Sequence, residues 1–319
     1  MVEYHGNIDK WSELVHDLHQ TDNQDSRIGG TKEILNVSLH ADNPRERFLF
    51  RPKFNLAFAL QECFAYWHGD NPGHVQRYNS KMEKYINDDG IMPGSAYGDK
   101  FRHKPHDQIS RVIDQLRENP ASRRAVVNIH NASYEEYDGN DVSCTIYLQF
   151  MIRNDQLHLT VNLRSQDVLF GLNYDFQAFA WMQEVMAGVL DVELGDMRYI
   201  MNSMHYYTAW KEEVLEAANV ATSYETPDCR LDEDELSTVM GQMTQRLNFI
   251  RKGRLVQIND IPEYYANWLL TMQSYEQARF HDDPKNARVS AEQITFEPWK
   301  NWCIDQYEKR YGEKADSKN

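Results

Sequence analysis

The chain has 319 residues, 41% of them hydrophobic and 26% charged, which supplies one large core or two smaller ones and excludes disorder throughout. Acidic residues outnumber basic ones 49 to 34, and a formal charge of −15 excludes general binding to nucleic acid unless basic groups gather in one pocket. Four scattered cysteines (Cys63, Cys144, Cys229, Cys303) without a CxxC pair signal neither a disulfide framework nor a zinc knuckle.

Taken in chain order, residues 1–11 carry Glu3, His5, Asp9 and Lys10 where a signal peptide needs a basic end and an apolar run, so a cytoplasmic protein is expected. Trp11, Leu14, Val15 and Leu18 recur at helical spacing and predict an opening amphipathic helix. The turn Arg27-Ile28-Gly29-Gly30-Thr31 leads to a strand expected over 34–39, and helices are expected over 54–68 and 107–118, the second stopping at Asn119-Pro120. The stretch 54–67 contains Asn, Gln and Glu and falls short of the roughly 20 apolar residues that span a bilayer, so no membrane segment is expected. Runs at 125–129, 145–152 and 157–163 are rich in β-branched and aromatic residues and predict strands, the last two joined through Asn154-Asp155. Residues 176–190 form a nearly all-apolar pattern, expected to be a buried helix. Beyond 232, helical patterns near 240–250, 264–280 and 299–311 are separated by polar segments, and 313–319 is a polar tail. The elements mix without regular βαβ alternation, so the expected class is α+β: a mixed or antiparallel sheet flanked by helices in a domain at 1–231, followed by a helical extension at 232–319. Neither GxGxxG nor GxxxxGK[ST] occurs, which leaves dinucleotide and P-loop binding without support.

Cys144 heads a strand pattern after the polar run Tyr137-Asp138-Gly139-Asn140-Asp141. A lone cysteine is more often a small core residue than a nucleophile, and neighbouring cations are what change that. Its context supplies them: Ser122-Arg123-Arg124 upstream, then Arg164-Ser165-Gln166-Asp167 with Gly171 and Asp175 roughly 20 to 30 residues downstream, then His205-Tyr206-Tyr207. Earlier in the chain stand Glu62 within an apolar helix, Gly69-Asp70-Asn71, Tyr97-Gly98 and Asp107-Gln108-Ile109. In this order and spacing the set resembles the thymidylate synthase family, which includes the pyrimidine nucleotide hydroxymethylases, over about residues 10–215. Blander readings stand beside each part. Arg123 and Arg124 fit a solvated surface pair, Glu62 a paired core carboxylate, and His205 and Tyr207 core packing. His103 and His106 form an HxxH pair without further ligands, so no metal is expected.

The resemblance implies that Cys144 adds to C6 of the pyrimidine of a nucleoside monophosphate, activating C5 toward the one-carbon unit of 5,10-methylenetetrahydrofolate. Loss of tetrahydrofolate leaves an exocyclic methylene, which hydride converts to methyl and water to hydroxymethyl. In this reading Glu62 organises water and proton transfers and Tyr97 supports the network. Arg27, Arg164, Ser165 and, across the family's homodimer, Arg123 and Arg124 hold the phosphate; Gln166 and Asp167 line the nucleotide site; His205 and Tyr207 bind the sugar; Asp167 and Gly171 meet the folate. The arginines are also expected to favour the Cys144 thiolate.

The informative departure is Asp175, where thymidylate synthases have Asn. An amide donates to O4 of uracil and accepts from N3–H, whereas a carboxylate accepts from the N4 amino group of cytosine and from N3 once protonated. Asp175 thus points to a cytosine nucleotide, dCMP ahead of CMP, with a helix N-cap at Phe176 as its structural alternative. Residues 81–90 hold Tyr85 but no tryptophan to screen the intermediate from water, which agrees with hydroxymethyl transfer. Asn55 replaces a folate-contacting His, Ser143 and Thr145 replace Pro and His around the nucleophile, and the chain ends in the helical region instead of a short apolar closing tail. A divergent thymidylate synthase acting on dUMP and a non-catalytic nucleotide-binding protein are the competing readings.

Overall fold

The computed structural model describes residues 2–70, 73–102, 105–130 and 141–315. Asn71, His103, the run 137–140 and the end of the polar tail lie outside the described residues. By its internal contacts the chain divides into two compact units, Met1–Glu225 and Thr226–Asn319.

The first unit runs β1 (Val2–His5), α1 (Trp11–Gln20), β2 (Asn23–Ser26), β3 (Gly29–Ala41), β4 (Phe48–Phe50), α2 (Leu56–His68), α3 (Val75–Tyr78), a 3₁₀ turn (Ser80–Tyr85), α4 (Tyr97–Arg102) and α5 (Gln108–Glu118). It continues with β5 (Val126–Asn128), β6 (Thr145–Arg153), β7 (Gln156–Leu163), β8 (Gln166–Asp167), α6 (Leu172–Val189), β9 (Glu193–Tyr207), α7 (Lys211–Val220) and β10 (Thr222–Tyr224). Among the described residues one sheet has the order β1-β3-β9-β7-β6-β5, with β2 paired to β3 and β8 to β9. It is mixed: β1 with β3 and β7 with β9 are parallel, while β3 with β9 and β6 with β7 are antiparallel.

Strand β9 lies in the middle of this sheet, and no element was expected between 190 and 205. Its inward residues are Gly195, Met197, Tyr199 and Met201, which alternate but carry no β-branched side chain. They bury against α6, where Phe176 meets the Tyr199 ring at 5.6 Å. Helix α6 is buried nearly all round, as its composition predicts, but starts at Leu172, four residues before the expected Phe176. Helix α2 is fixed at both ends: Asn55 Oδ1 accepts the Phe58 N–H at 3.1 Å, and Gly69 closes the helix in the left-handed region at φ 78°. Beneath the sheet, Glu184 of α6 accepts from Arg47 at 2.6 Å and Arg45 at 2.5 Å, with Arg47 and Glu184 both fully enclosed.

The second unit comprises α8 (Glu233–Arg251), α9 (Glu263–Arg279), α10 (Pro284–Glu292) and α11 (Glu297–Ala315). Helix α9 is its core. Two of its buried polar side chains bond to α10: Gln273 donates to Ser290 Oγ and Ser274 to the Ala287 carbonyl, each at 2.9 Å. Helix α10 went unexpected because Ala287, Ser290 and Ala291, the residues it buries, are too small to give an apolar period. No helix of the described residues is long and apolar enough to cross a membrane.

Candidate active site

The site is assembled at one end of the first unit, where β6 begins and β7, β8 and β9 end. Cys144 immediately precedes β6 and is half-buried. Its carbonyl accepts the Arg164 amide at 2.9 Å, an antiparallel pairing that brings the Arg164 guanidinium back over the thiol, with Nη2 at 3.8 Å from Sγ. The same guanidinium donates to the Ser143 and Val142 carbonyls at 2.9 and 3.0 Å. The Cys144 loop is therefore tied to the cation that lies beside its thiol. Burial pushes the thiol up to about 11, with Asp175, Asp167 and Asp141 adding to the rise and Arg164 opposing it. Arg164 acts in the direction expected of the arginines, favouring the thiolate, while burial and the three carboxylates act against it.

A second tie holds this loop. Asp141 accepts the Gly94 and Ser95 amides at 2.8 and 3.0 Å, and Ser143 Oγ donates to the Gly94 carbonyl at 2.7 Å. A Cβ on Gly94 would lie 2.1 Å from the Asp141 carbonyl, so only glycine permits this approach. Lys100 of α4 adds a bond to Ser143 Oγ at 3.2 Å. The hydroxyl of Ser143 is thus used in a way that proline could not reproduce. From the start of α4, Tyr97 accepts the Thr145 amide through its hydroxyl at 3.3 Å, which places the phenol next to the residue that follows Cys144.

Asp175 does not cap a helix. It lies inside the first turn of α6, its own N–H bonded to the Gly171 carbonyl at 3.0 Å, and its Oδ2 accepts Gln166 Nε2 at 3.0 Å. Across from it, Glu62 of α2 is buried, with Oε2 lacking a hydrogen-bond partner and Tyr66 bonded to the carboxyl. Burial raises Glu62 well above the ordinary carboxylate range and the charge of Asp175 raises it further; burial likewise raises Asp175 to about 6, with Gln166 pulling the other way. The two carboxyls titrate as a coupled pair, the charge on one holding the proton on the other.

The C-terminal end of β9 and its partner β8 supply the remaining groups. Register sets Gln166 opposite Met204 and Asp167 opposite His205, and Ser165 Oγ lies 3.5 Å from His205 Nδ1. Asp167 Oδ1 takes the Leu169 and Phe170 amides at 2.7 and 2.6 Å, while burial raises the carboxyl. Burial raises the Tyr207 phenol, with Asp167 and Cys144 adding to the rise and Arg27 opposing it. Arg27 is exposed on the β2–β3 turn, and Arg123 and Arg124 are exposed between α5 and β5. Among the described residues, no three His, Cys, Asp or Glu converge to hold a metal ion.

Residues 9–249 match the thymidylate synthase family. The chain belongs to that family. It is 30% identical over 193 residues to the deoxyuridylate hydroxymethyltransferase of Bacillus phage SP01, covering 55% of this chain and 50% of that protein. It is 34% identical over 201 residues to the deoxyuridylate hydroxymethyltransferase of Pseudomonas phage M6, covering 58% and 56%. The chain thus spans about half the length of these relatives. Thymidylate synthase of phage T4 superposes with a TM-score of 0.54 at 23% identity, covering 65% of this chain and 79% of that one, which shows the shared fold.

Within this thymidylate synthase frame, two departures acquire structural reasons. Asn55 caps α2 and donates to the Tyr78 carbonyl at 2.8 Å, so it holds the helix that carries Glu62. In the 3₁₀ turn, Lys81 sits over the rings of Phe170 and Trp210 at 5.1 and 5.2 Å, joining this turn to the Asp167 loop. Sequence reasoning missed Tyr66 and Lys100. The signal for Tyr66 was its i+4 spacing from Glu62, which puts both on one helix face; Lys100 gave none.

Proposed function

We propose that this thymidylate synthase family enzyme transfers a one-carbon unit from 5,10-methylenetetrahydrofolate to C5 of a cytosine nucleoside monophosphate, dCMP ahead of CMP, and adds water to give the 5-hydroxymethyl nucleotide and tetrahydrofolate. The observation that carries the cytosine assignment is Asp175, a carboxylate whose Oδ2 is occupied by Gln166, which leaves Oδ1 to accept from the N4 amino group and from a protonated N3. A proton passed to N3 through the network around Glu62, and replaced when Cys144 gives up its own, makes C6 the better electrophile. Cys144 then forms its bond to C6, its proton passing to the network around Glu62, and the electron pair displaced to C5 attacks the carbon that the folate supplies. Loss of the C5 proton and expulsion of tetrahydrofolate leave a methylene that water attacks, after which Cys144 departs. Glu62, buried and with one oxygen unpartnered, fits the role of organising that water.

Arrival of the nucleotide phosphate would draw Arg27 and Arg164 together, and the exposure of Arg123 and Arg124 fits their being shared across a homodimer. His205 and Tyr207 would bind the sugar. The folate side rests on Asp167, whose Oδ1 is taken by two amides while its second oxygen can meet the pterin, and on Gly171 beside it. A uracil reading is favoured by the names of the two phage relatives. Mass analysis of dCMP, CMP and dUMP, each incubated with the protein and methylenetetrahydrofolate, separates these. A gain of CH₂O on a cytosine nucleotide is expected; CH₂O on dUMP alone would transfer the relatives' activity to this chain, and CH₂ on dUMP with dihydrofolate absorbance would make it a thymidylate synthase.

A further inference from the structure

Gln166 is nearly inaccessible, at 2% exposure, in a strand whose neighbours are the residues proposed above for the nucleotide. Its place is set by the two-residue pairing of β8 with β9, which points Gln166 inward and the next residue, Asp167, to the opposite side. The amide lies between Gly171 and Asp175. A Cβ on Gly171 would come within 3.0 Å of Gln166 Oε1, so the glycine leaves the room this amide fills. Its Nε2 donates to Asp175 Oδ2 at 3.0 Å, and the reverse orientation would set two acceptors against each other. Gln166 is therefore too enclosed to serve as a phosphate or sugar ligand, and its donor is already engaged.

We propose that Gln166 is a positioning residue for base choice, one that occupies Oδ2 of Asp175 and so presents Oδ1 as the acceptor that meets the nucleobase. This rests on the cytosine reading and deepens it. Around Asp175 stand Glu62 and Tyr66 from α2, Tyr97 from α4, Cys144 before β6 and Tyr199 from β9, all of which are neutral or negatively charged. With no cation among them, Gln166 is the group whose hydrogen bond favours the ionised carboxyl against burial. Without it, Asp175 takes up a proton at higher pH, and a protonated carboxyl donates to O4 of uracil as an amide would. Base choice would then drift toward uracil as pH falls.

The test measures kcat/KM for dCMP and dUMP from pH 5 to 9 in the wild type, Gln166→Met, and Gln166→Glu, with circular dichroism as the check on folding. Gln166→Met removes the donor at nearly constant volume; Gln166→Glu puts a carboxyl against Asp175 whose charge raises Asp175 further, so its limb should move the same way and keeps the question open to refutation should the Met variant not fold. The acidic limb of dCMP turnover is expected to move up by about one pH unit, and the dCMP/dUMP ratio at pH 7 to fall about tenfold, as loss of one hydrogen bond to a charged group implies. In the Asp175→Asn background, Gln166→Met should move no limb. A wild type that prefers dCMP together with variants whose limb stays in place, or whose KM rises equally for both nucleotides, would overturn this inference alone. Turnover of dUMP but not dCMP by the wild type at every pH would overturn the cytosine reading and this inference together.

Discussion

Asp175→Asn exchanges a carboxylate for an amide at one atom and should invert the base preference. In the wild type Gln166 Nε2 donates to Oδ2 at 3.0 Å. The same donor would orient the new amide with its oxygen toward Gln166 and its NH₂ toward the base, the arrangement that suits O4 of uracil. One charge-assisted contact to cytosine is lost and one donor to uracil is gained. At about 1.5 kcal/mol each, these change the dCMP/dUMP specificity ratio by on the order of 10². The assay is competition in a single vessel containing both nucleotides, read by mass. The same substitution has a stability arm. The folded Asp175 has a pKa of about 6 against 3.8 for the free group, so between about pH 4 and pH 6 the folded protein holds a proton that the unfolded chain has released. Stability contributed by this group is therefore full below pH 4 and falls as pH rises through 6, by up to about 3 kcal/mol. Asn carries no such charge, so the variant should be the more stable protein at pH 7.5, with the difference closing near pH 4. A specificity ratio unchanged by the substitution would refute the base-reading role, and a variant less stable at pH 7.5 would refute the electrostatic account.

Cys144→Ala should lower turnover by at least about 10⁴-fold while nucleotide binding, followed by calorimetry, survives; undiminished turnover would remove the covalent mechanism. Because burial puts the Cys144 thiol at about 11, iodoacetamide labelling of the ligand-free enzyme should keep accelerating through pH 9 and 10, and a plateau near pH 8 would contradict that environment. Glu184→Gln leaves Arg47 and Arg45 without their shared carboxylate, so urea denaturation should show a loss of about 3–5 kcal/mol at neutral pH, with no change in base preference.

The α+β class, the opening helix, α2, α5, the β6–β7 hairpin and the buried α6 were legible because each buries a continuous stripe or face whose period survives in the sequence. Strand β9 was not, since its inward face is made of Gly, Met and Tyr, and the sheet's interior is set by pairing with β3 and β7 that no local window contains. At the site, the identities of Cys144, Arg164, Asp167 and Asp175 were legible as a spaced motif, but their couplings were not. That Asp175 sits within a helical turn and not at its start depends on four residues of helix paired through Gly171. That Ser143 ties two loops depends on a Gly94 contact 49 positions away.

The energetics of this end of the molecule run against stability and toward chemistry. A core of this size could enclose neutral side chains at positions 62 and 175, yet it holds two carboxyls raised by burial, one with an unpartnered oxygen, and a thiol raised by the same environment. Each is disfavoured in its charged form until something cationic or hydrogen-bonding arrives. A nucleotide would supply both kinds of relief at once, since its base offers donors to Asp175 and its phosphate gathers Arg164 with Arg27. Binding energy from the phosphate is thereby available to rearrange the cation next to Cys144, and the nucleophile would be activated only when the base it attacks is in place. Burial raises the Cys144 thiol and Arg164 opposes that rise, so under the proposed function the arrangement that disfavours the thiolate is also the one through which substrate would release it.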